Sequence, residues 1–301
     1  MAVFKCGGQW VLDDSGNKAC DYESEISWRG KRCPGCACYY DVRRIGAVVT
    51  KDKQKRWTAA ELAKEAGGTV VKTGLPDFDR VMNGGLELGC ATLIGGSRGV
   101  GKTTLLIEVC DGVSKNTGRR VLYASGEETA QNVGRNIRRI GVTNDKIEIM
   151  GNENQEANNI DTVLQRCKEL KAALCVFDSI QAMTVDDSKG NEGSPAQINA
   201  VANMINSYCK ENEMAAIIIT HLEKQGEFAG TETLQHYVDT LLRLDRHYEY
   251  NDEGDPKEGE PVRVLECHEK NRLGPSGLKA YYEMTEKGLK PVTKSKLLRL
   301  I

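Results

Sequence analysis

Aromatic side chains are scarce in this 301-residue chain: Phe, Trp and Tyr together make up 6% of it. So few large rings argue against an aromatic-rich β sandwich. Long apolar runs are missing too. No stretch reaches the 18 or so consecutive apolar residues that a bilayer crossing needs, so no membrane-spanning segment is expected. The opening residues, MAVFKCGGQW, lack the apolar core of a secretory leader. Charge of one sign is absent as well. Forty-one Lys and Arg face 43 Asp and Glu, a formal net charge of −2. This balance excludes a uniformly basic nucleic-acid coat and confines any nucleic-acid surface to a local patch. A soluble, cytoplasmic protein is the expectation.

What is plentiful is glycine, with 31 residues, which points to many tight turns between strands and helices. The length suits one full domain plus a small one, or two domains. Eleven cysteines are present, and five fall in the first 38 residues: Cys6, Cys20, Cys33, Cys36 and Cys38. The remaining six are scattered in apolar surroundings and read as small buried hydrophobes. Cys33-Pro-Gly-Cys36 has the form of a rubredoxin-like knuckle that aims two thiolates at one metal ion. Zinc takes four such ligands, and Cys6 with Cys20 form the natural second pair, although 13 residues separate them. Cys38 is a spare that substitutes for either. A redox CxxC is the competing reading, but no thioredoxin-like βαβ pattern surrounds it. Unliganded thiols are the bland alternative.

Three regions follow: a zinc-finger module at 1–41, a basic linker at 42–72, and a large α/β domain at 73–301. The linker carries Arg43, Arg44, Lys51, Lys53, Lys55 and Arg56, with one short helix expected from Thr58 to Ala66. In the large domain, Ala91–Ile94, Val121–Ser125, Ala173–Phe177 and Ala215–Thr220 are short apolar runs typical of buried strands. Helical spacing between them (Leu105, Leu106, Val109, Val113; Ile198, Val201, Ile205) implies a mostly parallel sheet covered on both faces. Val238–Leu244, Val262–His268 and Leu278–Met284 succeed one another without long helices, so an antiparallel edge extension is expected. Asn251 to Glu260 reads as an acidic surface loop.

Chemistry concentrates after the first of these strands. Gly96-Ser97-Arg98-Gly99-Val100-Gly101-Lys102-Thr103 fits GxxxxGK[ST], and Thr104 continues the run. Glycines let backbone N–H groups curl around a phosphate at a helix N-terminus. Lys102 reaches the outer phosphates and the Thr103 hydroxyl faces Mg²⁺. The run Leu174-Cys175-Val176-Phe177 ends in Asp178, a carboxylate placed to hold the Mg²⁺ shell as a Walker B aspartate does. Tyr123-Ala124-Ser125-Gly126-Glu127-Glu128 places glutamates at a strand end, where one could polarise attacking water. Surface acids at a helix start are the alternative reading.

Several stretches resemble the bacterial RadA (Sms) family, RecA-core DNA motors related to DnaB-type helicases. They are CDYESEISWRGKRCPGC, TGLPDFDRVMNGGL, IGGSRGVGKTTLL, YASGEE, VFDSIQAM, AGTETLQHYVDTLLRL, Lys270-Asn271-Arg272-Leu273-Gly274 and YYEMTEKGL. The resemblance implies a RecA-like P-loop NTPase core behind a zinc finger, using ATP, Mg²⁺ and Zn²⁺. It assigns water activation to Glu127, with Glu128 as fallback. It has Lys270 and Arg272 act on the γ-phosphate of a neighbouring subunit, or transmit the ATP state to DNA, in a homo-hexameric ring. Lys189, in a loop over 186–196, and Lys224, in a loop over 221–230, would track single-stranded DNA in the ring channel. The implied function is an ATP-driven helicase or branch-migration factor on single-stranded or branched DNA in recombination, repair or replication. A recombinase or replisome protein is a further expected partner. An ATP-gated DNA loader or clamp without unwinding activity is the alternative. A KaiC-like switch or small-molecule kinase on the same core is disfavoured by the zinc module and KNRLG.

Three departures from the family pattern stand out. An insertion, Gly7–Ala19, separates what the family has as a close CxxC, leaving Cys6 or Cys38 as the fourth zinc ligand. Leu273 replaces a Phe. No counterpart of the family's C-terminal Lon-protease-like domain follows, so ring assembly is expected to rest on the ATPase core, as would suit a compact phage or mobile-element variant.

Overall fold

A computed structural model describes residues 3–6, 23–24, 42–45, 58–59, 68–186, 191–221, 232–248, 261–293 and 296. The chain forms two compact units, residues 1–66 and 67–301. In the first, strands β1 (Val3–Cys6), β2 (Glu23–Ser24) and β3 (Val42–Ile45) make a sheet of order β2-β1-β3. Both pairings are antiparallel, and Cys6 lies opposite Val42. The segment read as the start of the linker thus pairs along the whole of β1. Cys20, Cys33, Cys36 and Cys38 lie outside the described residues, as does most of the linker; of Cys6 only the backbone is described.

The second unit is built on a nine-stranded sheet. After a small ribbon of β4 (Val70–Val71) and β5 (Leu86–Glu87) come β6 (Ala91–Gly96), β7 (Val121–Ser125), β8 (Ile147–Met150), β9 (Leu174–Asp178) and β10 (Ala215–His221). The remainder are β11 (Thr240–His247), β12 (Val262–Asn271), β13 (Lys279–Thr285) and β14 (Gly288–Pro291). Their order is β14-β13-β12-β11-β6-β10-β9-β7-β8. From β11 to β8 every pairing is parallel, whereas β11 to β14 are joined antiparallel.

Why these segments become central strands is visible in their burial. All residues of β6, β7 and β9 are buried, as expected of parallel strands covered on both faces. Alternate residues feed two cores. Leu174, Val176, Ile217 and Ile219 join one side with Leu105, Leu106, Val109 and Val113 of the helix Lys102–Thr117. Cys175, Phe177, Ala216 and Ile218 join the other, with Ile160 and Val163 of helix Ile160–Leu170 and Ile198, Val201 and Ile205 of helix Pro195–Asn212. The scattered cysteines Cys110, Cys167, Cys175, Cys209 and Cys267 are buried free thiols, while Cys90 is partly exposed. Among the described residues, no helix is long and apolar enough to cross a membrane.

Helix starts differ in one informative way. Thr129, Asn159 and Ser194 each accept a hydrogen bond from a backbone N–H of the helix they precede. Helix Lys102–Thr117 has no side-chain cap, and Gly101 at its start takes φ 111°. Its first N–H groups are therefore left pointing into a cleft, where an anion can satisfy them.

Candidate nucleotide site

The cleft lies at the carboxyl ends of β6, β7, β9 and β10. It holds about 600 Å³, and Arg98, Gly99, Gly101, Lys102, Thr103, Thr104, Glu127, Glu128, Asp178 and His221 are among its walls. Strand ends of a parallel sheet are where backbone direction changes and side chains from several strands converge. Distant motifs, from residue 98 to residue 221, meet here.

The loop between β6 and the helix forms the floor. Gly96 is required by close backbone approach: a Cβ there would sit 2.4 Å from the Leu244 carbonyl oxygen. Gly99 and Gly101 take positive φ of 69° and 111°, conformations that side chains disfavour. Lys102 is only 7% exposed. Its Nζ donates to the Gly96 carbonyl at 2.6 Å and the Ser97 carbonyl at 3.2 Å. Burial lowers its pKa, with Asp178 and Glu127 opposing that shift. A buried ammonium resting on two carbonyls is a cation poised for a stronger anionic partner.

Asp178 ends β9 and is buried. The Tyr123 hydroxyl on β7 donates to its Oδ2 at 2.5 Å. Burial raises the Asp178 pKa to about 6, against the Tyr123 hydrogen bond, which lowers it. A hard cation beside this carboxylate would remove that cost. Asp178 and Thr103 together offer carboxylate and hydroxyl oxygens, the donor set Mg²⁺ prefers. Tyr123 itself, wholly buried, has its pKa pushed well up by burial.

Glu127 is held by two donors. His221 Nε2 lies 2.9 Å from Glu127 Oε1, and the Ser179 hydroxyl donates to the same oxygen. A carboxylate only accepts, so the imidazole carries its proton on Nε2 in this contact. The His221 hydrogen bond is the chief cause of a Glu127 pKa lowered to about 2; burial opposes it. Glu127 is thus an ionised carboxylate with Oε1 occupied by its two holders. Glu128 shares the cleft wall, its backbone N–H bonded to Ser125 Oγ at 3.0 Å.

The structure therefore brings together Gly96–Thr104, Glu127, Glu128 and Asp178. It does not bring Lys270 and Arg272 into this cleft. Lys270 Nζ donates to the Gln235 carbonyl, and Arg272 pairs with Asp239 at 3.2 Å. Lys189 and Lys224 lie outside the described residues. Three residues of the site are given no role by the sequence. Tyr123 and Ser179 lie within the stretches YASGEE and VFDSIQAM but with no function attached to them, and His221 reads as the start of a DNA-facing loop rather than a partner of Glu127. The signal that could have found them is position at a strand end beside a P-loop.

Comparison with known proteins agrees with this arrangement. The family model described as "ATPase: KaiC" matches residues 71–295. The chain is 31% identical over 284 residues to the DNA repair protein RadA of Aquifex aeolicus, covering 91% of this chain and 58% of that protein. It is 31% identical to the Haemophilus influenzae protein of the same name (90% and 58%) and 32% identical to that of Escherichia coli (88% and 57%). The chain thus spans less than three fifths of the length of these relatives. Among solved structures, a KaiC-like protein from Pyrococcus horikoshii superposes with a TM-score of 0.59 at 21% identity, covering 75% of this chain and all of the other. That likeness shows the shared RecA-like fold.

Proposed function

The chain belongs to the KaiC-type ATPase family, on its RadA line, and from that premise we propose that it is a DNA-stimulated ATPase, a RadA-like helicase or branch-migration motor in DNA repair and recombination. The observation that carries the reading is the convergence of Lys102, Thr103, Asp178 and Glu127 on one cleft. The P-loop N–H groups and Lys102 bind the phosphates of ATP, Lys102 exchanging two carbonyls for phosphate oxygens. Mg²⁺, held by Thr103 and Asp178, neutralises phosphate charge when bound. Glu127, ionised and fixed by His221 and Ser179, orients water and accepts its proton.

Arg272, exposed, and Lys270, half-buried, lie away from their own cleft and complete the cleft of the next copy in a ring. Lys189 and Lys224 follow the phosphates of single-stranded DNA with little sequence preference. Cys20, Cys33, Cys36 and either Cys6 or Cys38 hold one zinc ion in the N-terminal unit.

The test is ATP turnover with and without single-stranded DNA, alongside strand displacement on a forked duplex. A DNA-stimulated rate that Lys102→Ala abolishes, together with displacement, supports the reading. A rate indifferent to DNA would count against it. DNA-stimulated turnover without displacement would identify a loader or clamp.

A further inference from the structure

The phosphate loop is tightly curled, with Gly99 and Gly101 at positive φ and the Val100 N–H donating to the Ser97 carbonyl at 3.3 Å, and its carbonyls run from Gly96 to Gly101. Each of those carbonyls has a donor. Lys102 takes Gly96 and Ser97, and the Leu105 N–H takes Gly101 within the helix. The other three are taken by two arginines of the antiparallel extension. Arg246 on β11 donates to the Gly99 carbonyl at 3.0 Å, the Arg98 carbonyl at 3.5 Å and Ser97 Oγ at 3.2 Å. Arg263 on β12 donates through Nε to the Val100 carbonyl at 3.0 Å.

The backbone places both side chains. β11 runs parallel to β6 with Arg243 opposite Gly95, then continues to His247 after β6 has turned into the loop. Its overhang lies against the loop, which is why Leu244 crowds Gly96 and Arg246 approaches Gly99. Arg246 and Arg263 are direct cross-strand partners. Two cations facing each other across a ladder are unfavourable unless each finds an acceptor. Arg263 is buried at 4% exposure, and a buried guanidinium without acceptors would be costly. The loop carbonyls are acceptors both arginines reach, and Arg263 Nη1 also donates to the Pro261 carbonyl.

We propose that Arg246 and Arg263 are positioning residues for phosphate binding: by holding the carbonyls of residues 98–100 outward, they keep the N–H groups of the loop aimed at the phosphates. This rests on the reading of the cleft as an ATP site. Lys102 must leave its carbonyls to meet a phosphate, whereas the two arginines stay where they are. The loop then needs no refolding when ATP arrives, and affinity is gained through lower ordering cost.

Arg246 is exposed, so Arg246→Ala leaves the core intact and is the main variant; Arg263→Lys, which keeps a cation in the buried position, is the second. Two measurements decide. The first is the dissociation constant for MgATP and MgADP with KM and kcat. The second is amide hydrogen exchange at residues 97–101 in nucleotide-free protein. For Arg246→Ala, both dissociation constants and KM are expected to rise about tenfold, with kcat falling less, and Arg246→Lys to recover part of the loss. Exchange at 97–101 is expected to quicken while exchange across β6 and β7 stays unchanged.

Arg263→Lys is expected to shift the same quantities in the same direction. Unchanged affinity with kcat down a hundredfold or so would overturn the proposal, since the guanidinium would then act on the transferring phosphate. Unchanged exchange at 97–101 would overturn it too. Should the wild-type protein bind no nucleotide, the ATP reading fails, and exchange alone still decides whether the arginines hold the loop.

Discussion

Glu127 leaves one carboxylate oxygen for the water activation proposed above, because Ser179 and His221 both occupy Oε1. Glu127→Gln is expected to bind ATP as the parent does and to turn it over about 10²–10⁴-fold more slowly. Single-turnover hydrolysis with a binding measurement checks this. With its pKa lowered to about 2, Glu127 stays ionised throughout the ordinary working range of pH. Asp178 behaves oppositely. Its folded-state pKa of about 6 lies above the ordinary aspartate value of 3.8, so the fold favours the protonated carboxyl. That stabilisation is complete below about pH 4 and lost as pH rises through 6. Asp178→Asn is therefore expected to raise the melting temperature of nucleotide-free protein at pH 8 and to abolish Mg²⁺-dependent hydrolysis.

At this scale, legibility depended on sequence distance. Gly96–Thr103 is a contiguous motif, and Asp178 ends an apolar run, so both can be read directly. Arg263 meets Val100 across 163 positions, and His221 meets Glu127 across 94. No local pattern marks either contact. The strand pairing creates them.

Among the elements, helix Lys102–Thr117 is the most constrained. At Gly112 a Cβ would lie 1.5 Å from the Thr73 carbonyl oxygen. Alanine improves helix propensity by about 1 kcal/mol, but here overpacking of about 1–3 kcal/mol outweighs it. Gly112→Ala is expected to lower the denaturant midpoint, with the slope unchanged. Further toward the N-terminus, Glu108 faces β14. Its Oε2 is buried without a hydrogen-bond partner, and burial lifts its pKa to about 7 despite the Leu289 N–H. The raised value means its protonated form stabilises the fold, an effect lost as pH climbs through 7. Glu108→Gln is expected to melt about 2–4 °C higher than wild type at pH 8 and to flatten the decline between pH 5 and 8, by thermal denaturation.

Strands β6, β7, β9 and β10 were legible because burial on both faces demands continuous apolar runs. Strand β8, sequence IEIM, was not: four half-exposed residues at the sheet edge carry too short a pattern. β14, sequence GLKP, is likewise a four-residue edge strand, and two buried residues followed by two exposed ones make no alternating pattern.

For the molecule as a whole, the ring proposal makes hybrid sites the decisive measurement. Arg272→Ala and Lys102→Ala are each expected to be inactive alone. Mixed, they are expected to recover part of the DNA-stimulated rate, since some interfaces then pair an intact P-loop with an intact Arg272. No recovery on mixing would remove the trans role. In the N-terminal unit, metal analysis is expected to find about one zinc per chain, lost in Cys33→Ser.

Strand β6 also fixes a distance. At its first residue, the Ala91 N–H donates to Asp239 Oδ2 at 3.0 Å, and the other oxygen of that carboxylate takes Arg272. At its last residue, Gly96, the phosphate loop begins. Six residues of extended chain put about 17 Å between those ends. One strand thus serves as a ruler that keeps a subunit's guanidinium out of its own fuel pocket, so any such contact counts as a handshake between two copies.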